Sequence, residues 1–232
     1  MRSGLPRPTV SRLTRSLVDA GFLSYDLERK AYRLGVVCLS LAEAYNGSTP
    51  EVAIALPLMK KVAQREKLNA GLATGDQLEM VYLGAFRESN DVLARSRRVV
   101  PGSRVPIELT AIGRAYITGL QPAQRDALFR NIAAKAGKGW PALKTELRRT
   151  ESELARVGYC TSVWQTGGSI GIAKPIMAPD SALYGISMSF QFIEGDCTVL
   201  VERCGALLLQ LAKDIAKAWA QALPAAAEEN VG

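Results

Sequence analysis

The stretch "GLPRPTVSRLTRSLVDAGFL" at residues 4–23 predicts a short helix with a basic, hydroxyl-rich start. Pro6 and Pro8 fit the first turn of a helix, because the backbone N–H groups there have no intrahelical acceptor to lose. Three residues at the spacing i, i+3, i+7 predict a single apolar stripe, namely Val10, Leu13 and Leu17. The polar side chains of the helix fall off this stripe and are therefore expected to face outward.

A hairpin is predicted directly after this helix. Gly21 supplies the stop signal, and two short strands follow at residues 22–25 and 31–34. The turn between them carries Arg29 and Lys30. A helix with a basic start followed by such a hairpin is typical of the last part of a winged helix-turn-helix, whose helix enters the DNA major groove. The pattern is also compatible with an ordinary amphipathic helix and hairpin at the edge of a domain.

The charge distribution favours a polyanionic partner for this end of the chain. Residues 1–34 hold seven cations and three carboxylates, which gives +4 of the total net charge of +7. A solvated surface would explain the same charges. If the helix and turn bind DNA, Arg, Ser and Thr side chains of the helix would reach base edges and the turn would contact phosphates. The predicted DNA-binding residues are Arg7, Thr9, Ser11, Arg12, Arg15, Arg29 and Lys30.

The composition excludes several classes of enzyme. The chain has 232 residues and no histidine, which removes Ser-His-Asp and Cys-His catalysis and histidine metal ligands. Tyr116, Glu151 and Glu202 could serve an enzyme, but the sequence does not bring them into a cluster. The four cysteines lack C-x-x-C spacing, so we expect reduced thiols with no metal and no cofactor. Without a membrane-length apolar run or a signal-peptide core, we expect a cytoplasmic protein with no membrane partner.

The rest of the chain predicts an α+β fold with strands in two groups. Helices are predicted at residues 36–45, 50–67, 110–119, 122–134, 140–157 and 197–223. Strands are predicted at residues 69–74, 78–86, 92–97, 159–164, 169–177 and 183–192. The hairpin at 69–86 is expected to turn at Gly75 and Asp76, residues 46–50 read as a linker, and residues 99–109 as irregular.

Several motifs in order resemble the IclR family of bacterial transcriptional regulators. The recognition-helix and wing motifs of that family are similar to "GLPRPTVSRLTRSL" and "YRLG" here. Its later motifs are similar to "PGSRVPIELTAIGRAYITGL" at residues 101–120, "LARVGYCTSVWQTGGSIGIAKPI" at 154–176 and "LYGISMSF" at 183–190. The resemblance covers nearly the whole of this chain. In the family, two helices of the DNA-binding domain precede "GLP", and this sequence contains no counterpart of them.

This resemblance implies a domain plan and a function. It implies a partial winged helix-turn-helix at residues 1–34, a linker helix at 35–49, an effector-binding domain at 50–223 and a frayed tail at 224–232. The effector domain would be GAF- or PAS-like, with a curved antiparallel sheet flanked by helices. Family members are dimers or tetramers that bind palindromic operators as double-stranded DNA and respond to small metabolites, often carboxylates. Either the true start lies upstream of Met1, or the chain binds DNA poorly.

A candidate effector site follows partly from the residues and partly from the resemblance. Ser187 and Ser189 alternate along a strand, so both face one side, where paired hydroxyls could bind a buried carboxylate or simply nearby backbone. The resemblance places both on the family's effector-binding serines. It also implies that Ala111, Ile112 and Gly113 form the turn whose amides point at the ligand. Val105 and Ile172 match apolar wall positions of the family.

The chain departs from the family pattern after "GY". Family members often carry acids there, whereas this chain has "CTSVWQT". Trp164 and Gln165 would therefore offer an aromatic wall and an amide, which favours an aromatic or otherwise apolar carboxylate. Lys174 would pair with such a ligand if it faced inward, and would be a surface lysine if it faced outward.

Three functions compete at this stage. The first is a DNA-binding regulator whose operator binding is modulated by a small molecule. The second is a sensing and dimerisation module that has lost DNA binding. The third is an enzyme, which the lack of histidine disfavours.

Overall fold

The computed structural model describes residues 4–88, 99–164, 169–191 and 197–222. The chain divides into two compact units, Met1–Ala53 and Ile54–Gly232. The first unit contains four complete elements: α1 (Arg7–Asp19), β1 (Leu23–Asp26), β2 (Ala31–Leu34) and α2 (Val37–Gly47). The predicted helix and hairpin are thus both present, with the first strand displaced by one residue.

The second unit is built around an antiparallel sheet. Its strands are β3 (Asn69–Asp76), β4 (Glu79–Arg87), β5 (Arg104–Pro106), β6 (Cys160–Trp164), β7 (Ser169–Met177) and β8 (Leu183–Gln191). They lie in the order β5-β4-β3-β8-β7-β6 and form one curved six-stranded sheet. The helices are α3 (Pro50–Glu66), α4 (Ala111–Gly119), α5 (Pro122–Ala136), α6 (Trp140–Val157) and α7 (Thr198–Ala222). The expected α+β class with a curved antiparallel sheet is confirmed.

One face of the sheet, called here the α4 face, carries small side chains. Along β8 the alternation of strand residues puts Gly185, Ser187 and Ser189 on this face. A Cβ atom added at Gly185 would lie 2.8 Å from Cγ1 of Ile112, and one at Gly171 would lie 3.1 Å from Cβ of Ala111. Helix α4 therefore lies directly on the sheet, in a position that larger side chains would forbid.

Helices α5 and α6 complete the layer on the α4 face. Ile112 of α4, Ile132 of α5 and Leu147 of α6 belong to one buried cluster. The rings of Phe129 and Trp140 pack edge to face at a centroid distance of 5.7 Å at the edge of that cluster. The three helices thus bury the apolar part of the α4 face.

The opposite face of the sheet, called here the α7 face, carries the large apolar side chains. Ile186 and Met188 of β8 are almost fully buried there, and the ring of Tyr184 lies 6.2 Å from that of Trp219 in α7. Helices α3 and α7 are joined by an ion pair of 2.8 Å between Glu66 and Arg203. The sheet is therefore covered on both faces.

Two local predictions are wrong. The β3–β4 hairpin turns at residues 77–78 rather than at Gly75 and Asp76, because Asp76 still pairs with Glu79 and both carboxylates bind Arg104. Residues 104–106, expected to be irregular, form β5, whose register sets Val105 opposite Met80. The predicted strand at 92–97 and the predicted frayed tail at 224–232 lie outside the described residues.

Within the ranges that the structure describes, no helix is both long and apolar enough to cross a membrane.

We expect Gly185→Ala to destabilise the second unit, since the new methyl group would meet Ile112 within 3.0 Å, including its carbonyl oxygen. Overpacking of this kind costs about 1–3 kcal/mol of unfolding free energy. Urea denaturation followed by circular dichroism measures the change. Gly139→Ala is the matched control, because a Cβ there meets nothing within 4 Å. Equal midpoints for the two variants would show that α4 does not lie this close to the sheet.

Candidate functional site

Helix α1 presents a basic face to solvent. At about 100° per residue, Arg7, Ser11 and Arg15 fall within one third of the helix circumference, and Arg12 lies beside them. All four are exposed, whereas Thr9 is half-buried. The predicted DNA-binding residues of the helix therefore share one accessible side, apart from Thr9 at its margin.

The predicted apolar stripe of α1 is only partly covered. Val10 is half-buried, while Leu13 and Leu17 are 49% and 41% exposed. No residue of α1 is fully buried within the described part of the chain. The helix is regular all the same, and the Thr14 hydroxyl donates to the carbonyl of Val10 at 2.9 Å.

The hairpin turn holds its basic residues on a fixed backbone. The Asp26 carboxylate accepts the backbone N–H groups of Glu28 and Arg29 at 3.0 and 2.9 Å and pairs with Arg33 at 2.5 Å. Lys30 adopts a left-handed conformation with φ of 49°. Arg29 and Lys30 are exposed at the tip of this turn, whose backbone the hydrogen bonds of Asp26 hold in place. Contacts to DNA phosphates would require such exposure.

A row of polar groups crosses the α4 face of the second unit. Ser189 pairs with Asn69 on one side and with Gly171 on the other. Asn69 in turn pairs with Arg87. Residues directly opposite one another share a face, so Arg87, Asn69 and Ser189 project in the same direction at successive strand spacings of about 4.8 Å. Arg87 was not among the residues predicted from sequence.

A β-bulge creates this row. The pairing of β3 with β4 shifts by one between Leu72 and Ala73, which leaves Leu83 without a partner. In a regular strand Tyr82 and Arg87 would lie on opposite faces, since they are five residues apart. With the extra residue both lie on the α4 face, where the two side chains line one cavity.

Tyr82 and Ser187 are linked at the floor of this cavity. Their hydroxyl groups are hydrogen-bonded to each other. Burial raises the pKa of the Tyr82 phenol, and the hydrogen bond and the charge of Arg87 offset this only in part. The Tyr82 ring lies over Gly71, where an added Cβ would be 2.5 Å from the ring. Gly71 is therefore needed for the ring to reach Ser187.

The cavity at the serines has a volume of about 40 Å³. This exceeds the roughly 10–15 Å³ that one water molecule needs and suits a group of the size of a carboxylate. Its polar lining residues in the described part of the chain are Asn69, Tyr82, Arg87, Ser187 and Ser189. Arg87 is half-buried, and this partial burial lowers the pKa of its guanidinium.

The first turn of α4 lies next to this cavity. Thr110 caps the helix by accepting from the Gly113 N–H at 3.3 Å. Ala111 lies over Gly171, the partner of Ser189. The Ser162 hydroxyl donates to the Leu109 carbonyl at 3.0 Å and ties the turn to β6. Ala111, Ile112 and Gly113 are all buried, so the turn is packed into the core.

The other predicted effector-binding residues have different positions. Val105 is buried on the α4 face opposite Met80, within the core cluster. Ile172 pairs with Met188 and lies on the α7 face, away from the serines. The side chain of Trp164 lies outside what the structure describes, as does Gln165. Lys174 also lies on the α7 face and donates to the Gly158 carbonyl at 3.4 Å.

A larger cleft of about 650 Å³ lies between α6 and β6. Arg114 in its lining is 3.5 Å from Glu146, and Glu153 accepts from the hydroxyl and amide of Thr161. Arg149 and Arg156 also line this cleft. The cleft is thus a rival ligand site by its size and its three arginines, although two carboxylates in its lining oppose an anion, whereas the described lining of the smaller cavity contains none. The smaller cavity combines a cation with hydroxyl groups, and we regard it as the candidate effector site.

Comparison with known proteins identifies the family. Residues 1–27 match the IclR helix-turn-helix domain. The chain is 26% identical over 218 residues to the HTH-type transcriptional regulator TsaQ1/TsaQ2 of Comamonas testosteroni, covering 92% of this chain and 77% of that protein. It superimposes on an IclR family transcriptional regulator from Brucella abortus with a TM-score of 0.81 and 27% identity, over 93% and 81% of the two chains. Together these matches support an IclR-family transcriptional regulator.

The relatives that this chain matches are transcriptional regulators, a non-enzymatic family. A DNA partner and a small-molecule effector follow from its membership of the family. The fold is also shared with an IclR homologue from Microbacterium hydrocarbonoxydans, which was crystallised in complex with 4-hydroxybenzoate. The TM-score is 0.70 at 23% identity, over 94% of this chain and 87% of that one.

We expect Tyr82→Phe to flatten the loss of stability at high pH. The pKa of Tyr82 is raised in the folded state, so its contribution is fully present below the unfolded value of about 10 and is lost as the pH rises through the folded value. Urea unfolding between about pH 9 and 11 measures the slope. Tyr45→Phe, at an exposed position in α2, is the control. Parallel curves for wild type and Tyr82→Phe would refute the buried hydrogen-bonded phenol.

Proposed function

We propose that this regulator responds to a carboxylate with an aromatic or apolar body, bound on the α4 face at Ser187 and Ser189. The observation that carries the proposal is that both serines lie on one face of the sheet and line one cavity. Hydroxyl groups donate hydrogen bonds to a carboxylate, and because they are neutral their burial costs less free energy than the burial of a charged group. A cavity of 40 Å³ takes the acid group and leaves the body of the ligand outside it, with Val99 as an apolar residue of the lining.

Helix α4 adds a favourable field for an anion. Its first turn carries the positive end of the helix dipole and lies one strand spacing from Ser189. We retain Ala111, Ile112 and Gly113 as contributors in this sense. Ile172 is left out because it lies on the opposite face of the sheet. Val105 contributes by packing under α4, and Trp164 remains a predicted aromatic wall.

The complex of the Microbacterium hydrocarbonoxydans homologue supports this ligand class. That protein binds 4-hydroxybenzoate, an aromatic acid, and shares the fold of this chain. The hydroxyl pair and the cation in the cavity of the present chain suit the same kind of molecule. We therefore take benzoate and 4-hydroxybenzoate as the first probes.

On the DNA side, we propose that α1 reads base edges and that the hairpin turn contacts phosphates. Arg12, Arg15 and Ser11 would make the sequence-specific contacts, supported by Arg7 and Thr9. Arg29 and Lys30, exposed at the tip of the turn, would add affinity without sequence preference. This assignment rests on the exposed basic face of α1.

The two activities would be coupled by linkage. An effector that binds one packing of the sheet domain better than another changes the affinity of the protein for DNA. DNA then changes the affinity for the effector by the same factor. We propose a homodimer or tetramer as the acting form, since a palindromic operator matches two equivalent recognition helices. Whether bound effector weakens or strengthens operator binding sets the direction of regulation.

We expect the Arg29→Gln, Lys30→Gln double variant to bind operator DNA more weakly and with a smaller salt dependence. Each lost phosphate contact lowers the slope of log K against log salt by about 0.9, so the expected decrease is near 2. Arg12→Ala should instead cost about 1–3 kcal/mol on the preferred sequence and little on random DNA. Gel shifts with duplexes from upstream of its own gene, at several salt concentrations, measure both.

The same experiment separates the second candidate function. Exposure of Leu13 and Leu17 on α1 is the observation that favours a sensor without DNA binding. Wild-type chain that binds an acid but shifts no duplex at low salt would establish that alternative.

We expect wild-type protein to bind benzoate or 4-hydroxybenzoate in isothermal titration calorimetry. A Ser187→Ala, Ser189→Ala double variant should lose about 1–3 kcal/mol of binding free energy, because each hydroxyl donates to a charged group. Ser152→Ala, an exposed change at the rival cleft, is the control. Absence of heat for the whole panel, extended to aliphatic acids, would reject the carboxylate class.

A further inference from the structure

We propose that Arg87 binds the effector's carboxylate directly and so selects acids over their neutral analogues. The inference rests on the proposed effector class and goes beyond it by naming the residue that recognises the charge. Nothing in the sequence pattern marked Arg87, which is the last residue of β4.

The first argument is the direction of the side chain. Because of the bulge at Leu83, Arg87 lies on the α4 face in one row with Asn69 and Ser189. Arg87 lines the same cavity as Ser187 and Ser189. A carboxylate at the serines is therefore within the reach of the five N–H donors of an arginine.

The second argument is the space. Gly71 and Ala85 pair with each other between the row of Arg87 and the ring of Tyr82. Because both residues are small, they leave space in the cavity that they line. The cavity volume of about 40 Å³ accommodates a group of the size of a carboxylate. We therefore expect an acid to place its carboxylate in this cavity, beside Arg87.

The third argument is the electrostatic setting. Among the described residues the lining combines a guanidinium, a phenol, an amide and two hydroxyls with apolar groups, and contains no acidic side chain. Partial desolvation strengthens the attraction of Arg87 for an anion, because the charge is less screened by water. None of the described lining residues belongs to α4. The helix dipole thus acts at a distance, whereas Arg87 makes the contact.

The test compares acids with their amides. For benzoate against benzamide and 4-hydroxybenzoate against 4-hydroxybenzamide, calorimetry on the wild-type chain should show the acid bound at least about tenfold more tightly. Arg87→Gln should remove most of this preference while leaving the weak affinity for the amide. Arg87→Lys should keep the preference with lower affinity, because it retains the charge and loses the two-pronged geometry.

Two controls make the outcome decisive. Arg149→Gln, in the larger cleft, should bind as wild type does; if it loses the preference instead, the acid binds in that cleft and the assignment of Arg87 is overturned. Urea midpoints establish that each variant is folded, and a merely structural role of Arg87 would lower acid and amide affinity together.

The failures of the two proposals are distinguishable. No binding of any acid by wild type rejects the carboxylate class itself. Binding of an acid by wild type together with an unchanged acid-to-amide ratio in Arg87→Gln overturns only the role of Arg87. If Arg87→Gln does not fold, Arg87→Lys decides, since an acid affinity equal to wild type would contradict a two-pronged contact.

Discussion

The close approach of α4 to the sheet is the constraint on which the second unit depends. Gly171 and Gly185 leave room for Ala111 and Ile112, since a Cβ at Gly185 would collide with Ile112 and one at Gly171 would crowd Ala111. With the helix in that position, its apolar side is buried against one half of the α4 face. The other half, toward Ser189, retains a cavity. The candidate effector site is thus the part of the sheet that the helix does not cover.

How far this site could be predicted depends on whether its residues are an even or an odd number of positions apart along a strand. Ser187 and Ser189 are two residues apart, so their common face followed from the sequence. Tyr82 and Arg87 are five apart, and only the unpaired Leu83 brings them together. A bulge is set by pairing between strands, which a local pattern does not contain. Ile172 illustrates the converse, because a matched family position did not reveal which face it occupies.

Other differences also arise from long-range contacts. The α1 helix was predicted correctly, yet the exposure of Leu13 and Leu17 depends on what packs against them and not on their spacing. Likewise the β3–β4 turn lies later than predicted, since Arg104 holds both Asp76 and Glu79 in the ladder. Elements therefore followed from periodicity, while burial and strand ends depended on residues distant in the chain.

The bulge in β4 also affects how relatives should be compared. Before Leu83 the even-numbered residues of β4 lie on the α4 face, and after it the odd-numbered residues do. Two regulators that differ by a single insertion here would present different side chains to the ligand even with identical residues on both sides. Comparisons of effector preference across relatives therefore require alignment by strand pairing rather than by residue count, and the residue opposite Asn69 is the position to compare.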